Sequence, residues 1–153
     1  YTAYRGFQLL LSGFLPATDD VRLNLLFSTN GGVSFGTTIL TTVGLASKAG
    51  TSLTLNTTSS GSIGLSDASA GTVGGVGNGS TEGWNGELTL LNLTSTAFYS
   101  RVHFSGLYVN AAGAPVHIVG GCAYPVAQDT DAIRLAFSSG NIAAGNYALY
   151  GYA

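Results

Sequence analysis

Seven carboxylates are spread over the 153 residues: Asp19, Asp20, Asp67, Glu82, Glu87, Asp129 and Asp131. Two carboxyl groups held about 5–10 Å apart could do acid–base work on a glycosidic bond. Asp19 and Asp20 precede an apolar run that carries Arg22, and Asp129 and Asp131 precede one that carries Arg134. Taken together the four acids would make a polar cluster suited to a cation or to sugar hydroxyls. Taken locally they cap turns, as Asp side chains do, and Asp20–Arg22 and Asp131–Arg134 form structural ion pairs. The local reading is the expectation.

His103 and His117 are the two histidines and Cys122 is the lone cysteine. That inventory contains no recognised metal-ligand spacing, so no metal and no cofactor are expected. Cys122 lies in the apolar stretch Val119 to Ala123 and reads as a small buried hydrophobe. Thr72 to Gly79 is rich in glycine, but no Lys-Ser/Thr follows and no helix is foreseen. A phosphate cradle would lack its helix N-terminus. No catalytic residue is assigned and enzymatic activity is not expected.

Aromatic side chains carry the binding candidates. Trp84, Tyr99, Tyr108 and Tyr124 sit at loop boundaries or strand ends, and exposed rings stack on sugar faces. For Trp84 the alternative is a plug packed beneath a loop. His103 shares a strand face with Tyr99 and Arg101, which is either a ligand surface or the solvated side of a sheet. Tyr147, Tyr150 and Tyr152 read as packing residues of a terminal strand.

Composition narrows the partners. Charged residues make up 8% of the chain and hydrophobic residues 45%, with a net charge of -2. Normal apolar content excludes the disordered class. Five scattered basic residues give no footprint for nucleic acid or for an anionic membrane. So uncharged a surface invites association, and a homo-oligomer is expected. The chain has no methionine, so it is expected to be a fragment or processed part of a longer product.

The elements that must position these residues are short strands. No stretch holds a helical period; β-branched and aromatic runs alternate with Gly, Asn, Ser and Pro punctuation. Val21 to Ser28 alternates cleanly, with Val21, Leu23, Leu25 and Phe27 toward a core. Thr29 to Gly32 carries Asn-Gly and predicts a hairpin, with Phe35 to Val43 as the returning strand. Residues 66–83 read as a long, flexible Gly-rich loop. About ten strands at this spacing predict a single domain over 1–153, an antiparallel β-sandwich of jelly-roll type.

Several segments resemble the C-terminal domain of bacteriophage and prophage virion proteins, of tail-fibre, tail-spike or head-decoration type. They are Pro16 to Leu23, Phe27 to Phe35, Glu82 to Leu88, Asp131 to Ile142 and Ala144 to Tyr152. The resemblance implies a homotrimeric β-rich module on a virion, in contact with other virion proteins and with host-surface glycan. Attachment to a host surface is the leading expectation. Clamping of a capsid shell and depolymerisation of a surface polysaccharide are the alternatives.

Overall fold

The computed structural model describes residues 4–36, 40–48, 51–55, 61–67, 73–125 and 127–153, with 40–48 and 51–55 described as backbone. Among the described residues ten strands run in chain order: β1 (Gly6–Pro16), β2 (Leu23–Ser28), β3 (Leu40–Lys48), β4 (Thr51–Leu55), β5 (Ile63–Gly64), β6 (Gly83–Leu91), β7 (Ser100–Val109), β8 (Pro115–Tyr124), β9 (Ala132–Phe137) and β10 (Ile142–Tyr152). They form a seven-stranded sheet, ordered β10-β1-β6-β7-β8-β3-β4, and a three-stranded sheet, ordered β5-β2-β9. Every pairing is antiparallel. The chain is an all-β sandwich. Seven strands face three around a central meander β6-β7-β8, so the architecture stands at the level of an antiparallel sandwich.

Period-2 patterning explains the layers. On β7, Ser100, Val102, Phe104, Gly106 and Tyr108 are buried, while Arg101, His103 and Leu107 are exposed. Cross-strand partners carry the same face outward in both directions: Leu9, Leu88 and Phe104 are in register, as are Val102 and Cys122. From the small sheet, Leu23, Leu25, Phe27 and Ile63 meet this face in one buried cluster. Each fully buried Leu, Ile or Phe is worth about 1.5–3 kcal/mol of transfer free energy.

The expected hairpin after β2 is not formed. Gly31 and Gly32 do take positive φ, at 72° and 80°, but the turn sends the chain out of the small sheet. β2 pairs with β5 and β9, and β3 begins at Leu40 in the large sheet, against β8. Asn-Gly turned the chain as its chemistry predicts, and tertiary pairing chose a different partner strand.

The Gly-rich segment carries no strand between β5 and β6 among the described residues. Residues 68–72 lie outside the described residues, but 73–79 form a strap inserted in the core, with Val73 and Val76 buried. Val76 bridges Val21 and Asn110. Glycine is needed here because the backbones touch: a Cβ at Gly75 would lie 2.6 Å from the carbonyl carbon of Asp20.

Burial sets two acid groups apart. It pushes the Cys122 thiol up from 9.0 to about 12, and the Tyr108 hydroxyl from 10.0 to about 12, with the Asp67 carboxylate adding to the latter. Both groups therefore stay neutral in the fold and ionise more easily once unfolded. Their contribution to stability is complete below pH 9 and is lost as pH rises toward 12. Denaturant unfolding followed over that range should show a falling midpoint, with a shallower fall in a Tyr108→Phe/Cys122→Ala double variant; equal slopes would contradict the assignment.

Candidate functional site

The two ends of the sandwich differ. One end is closed by the strap and a buried polar network. Trp84 Nε1 donates to the Leu65 carbonyl at 2.7 Å. The Tyr108 hydroxyl donates to Gly74 O at 2.9 Å and accepts from the Asp67 amide at 3.2 Å. Asp67 Oδ2 accepts from Val73 N at 3.0 Å, and Asn110 Nδ2 donates to Val73 O at 2.6 Å. Asp20 and Asp19 accept from the amides of Gly75 and Asn78. Tyr108, Asp67, Asn110 and Asp20 thereby satisfy strap backbone that would otherwise be buried unpaired.

The other end is open. A groove of about 470 Å³ lies between β1 and β10 of the large sheet and β9 of the small one. Phe7, Leu90, Leu93, Ile133 and Leu149 supply its apolar surface, and Thr94, Asp129, Thr130 and Asp131 its polar side. The polar segment is held from two sides: Thr130 N donates at 2.6 Å to the O of Leu93, just past β6, and Asp131 N donates at 3.0 Å to the O of Ser28 on β2. The Thr130 hydroxyl shares a hydrogen bond of 3.0 Å with the Ser100 hydroxyl, both buried. The groove is thus preformed, with its acids exposed at the rim, the usual character of a small-ligand site.

The expected binding residues divide. Tyr99 and His103 are exposed. His103 stands on the outer face of the large sheet, in register with Thr89 and Gly121. Trp84, Tyr108 and Tyr124 are buried, which leaves no ring face of theirs open to a ligand. Trp84 is the plug, in a slot cut by Gly86 and Gly106, which face each other across β6 and β7. A Cβ at Gly106 would fall inside its indole. Tyr108 belongs to the polar network, and Tyr124 packs on Phe27 with ring centroids 5.7 Å apart. Tyr147, Tyr150 and Tyr152, expected to be packing residues of the terminal strand, are exposed instead.

The four-carboxylate cluster does not form. Asp20 lies by the strap, before the end of β2 that pairs with Phe137, and Asp131 beside the opposite end, where Ser28 pairs with Ala132. The Asp131–Arg134 ion pair gives way to two other contacts. Residues three apart in extended chain point to opposite sides, and Arg134 stacks over Phe35 at 4.6 Å while Asp131 accepts from Gly31 N at 2.8 Å. Arg22 crosses the small sheet near Gly64, and its Nε is buried without a hydrogen-bond partner among the described residues.

Gly32–Gly36 spells Gly-x-Ser-x-Gly. Here it forms a turn: Ser34 Oγ accepts from Asn30 Nδ2 at 2.8 Å, and Ser34 N donates to Asn30 Oδ1 at 3.0 Å. A nucleophile elbow instead needs a strand-to-helix turn, and no helix occurs among the described residues. Nor do three His, Cys, Asp or Glu side chains gather where they could hold a metal, again among the described residues.

The groove combines apolar surface with carboxylate and hydroxyl oxygens. Comparison of the chain with family models, with curated proteins and with solved structures finds no match.

Proposed function

We propose that this chain is a host-attachment module of a phage virion, of tail-fibre or tail-spike type, that holds a neutral glycan in the groove between β1, β10 and β9. The groove carries the proposal: its apolar surface and its acceptor-rich rim are rigidly mounted on two sheets. Asp129 and Asp131 at that rim favour neutral hydroxyls and repel uronates and sialic acids. Display of many copies on a particle would turn weak single sites into firm adhesion. The resemblance of the sequence segments to virion modules supplies the setting.

An array of bacterial and host oligosaccharides probed with the purified chain should light neutral glycans. Thr94→Trp, which fills the groove, should weaken that binding about tenfold or more, equal to about 1.4 kcal/mol. Signal confined to acidic glycans, or unchanged in Thr94→Trp, would contradict the proposal.

One observation favours a depolymerase as the second reading: Asp129 and Asp131 line the same groove. New reducing ends from a bound polysaccharide, absent with Asp129→Ala, would establish it.

A further inference from the structure

Among the described residues β10 is an unguarded sheet edge. It pairs with β1 on one side and is last in the order of the large sheet. From Asn146 to Tyr152 the ladder is regular, running from Ser12↔Asn146 to Gly6↔Tyr152 without a bulge. The segment reads Asn-Tyr-Ala-Leu-Tyr-Gly-Tyr, with no charge and no proline. Tyr147 is 73% exposed, Leu149 50%, Tyr150 56% and Tyr152 42%. Soluble proteins protect edges with lysine, proline or bulges, because a free row of N–H and C=O groups templates another strand. β9, an edge of the small sheet, shows such a device in its outward Arg134. β10 has none over these seven residues.

We propose that β10 is the site of self-association: two copies pair antiparallel along Asn146–Tyr152, with Leu149 on the two-fold axis, and join their large sheets into one. The sequence is complementary to itself in that register. Leu149 meets Leu149 of the second copy. Tyr147 meets Gly151, over which the same chain's Tyr4 ring packs, Tyr150 meets Ala148, and Tyr152, whose ring leans over Gly6 of β1, meets Asn146. Both faces are fitted at once, because residues of equal parity share a face. The four large side chains expose on the order of 400 Å² per copy, half the ~800 Å² that a standard interface takes from each partner. The backbone row and flanking residues come in addition.

A two-fold contact is isologous and yields pairs, so this interface gives a dimer in place of the expected trimer. Leu149 also lines the groove, so the pairing sets two grooves side by side across the seam. The inference rests on the edge alone and holds or fails whether or not the groove takes a glycan.

Sedimentation equilibrium at micromolar concentrations should give twice the 15.5 kDa chain mass. A Tyr147→Lys/Tyr150→Lys variant should keep its circular dichroism and sediment as a monomer. Leu107→Lys, on the exposed face of β7, should remain a dimer. Leu149→Cys should oxidise to a disulfide-linked dimer, because directly opposed Cα atoms in an antiparallel pair sit about 4.5–5.5 Å apart; the native Cys122 is buried and silent. A wild-type monomer or trimer, a dimer that survives the double lysine variant, or a folded Leu149→Cys protein that does not link would each overturn the proposal.

Discussion

Gly106→Ala is expected to destabilise the sandwich by about 3 kcal/mol, at the upper end of what overpacking a core costs. The new Cβ would sit inside the Trp84 ring. That ring has little room to yield. Its Nε1 is tied to Leu65 O at 2.7 Å, and a Cβ at Gly86 on the adjacent strand would itself lie 2.9 Å from Cη2. At this chain length the thermal midpoint should fall by roughly 6–12 °C. The mechanism is tested by coupling. Trp84→Leu alone opens a cavity and costs stability, but combined with Gly106→Ala its cost should shrink, since the smaller side chain admits the methyl group. Strictly additive losses would show that the slot is not the cause.

Asp67→Ala is expected to cost a similar amount, about 3 kcal/mol, but to act locally. The buried carboxylate accepts from Val73 N at 3.0 Å, and its removal strands a buried donor as well as deleting a charged hydrogen bond. The strap should come loose as a unit. Amide hydrogen exchange at Val76, whose N–H bonds Val21 O at 2.8 Å, should accelerate strongly. Exchange at the centre of β7 and β8 should change only as much as global stability does. Asp67→Asn keeps an acceptor oxygen and should lie between the two. A uniform rise along the chain would contradict the strap as a separate unit.

These two features mark the boundary of what residue patterns reveal. The strands of the meander were legible because one face of each is apolar: β7 alternates from Ser100 to Val109 as its composition dictates. The same parity places Tyr108 with Val102 and Phe104, and Tyr124 with Cys122, so their burial was readable. Their positions at strand ends obscured it. Trp84 was ambiguous for a sound reason. Its neighbours are Gly, Asn and Glu, and only the register that sets Gly86 opposite Gly106 reveals the slot. The groove was invisible, because Phe7, Leu90, Ile133 and Leu149 meet only through topology. β10 misled in the opposite sense. Apolar residues on both faces are the mark of a strand covered on both sides, and sequence does not say whether the cover comes from the same chain.

The central claim, a preformed neutral-glycan groove at the open end of the sandwich, meets its most direct test in calorimetric titration of the best array glycan into wild-type chain and into Thr94→Trp. Saturable binding to the wild type is expected, with at least tenfold weaker binding to the variant and unfolding midpoints that agree within error. Equal affinity in the two proteins would place the sugar elsewhere on the molecule, and contradict the account.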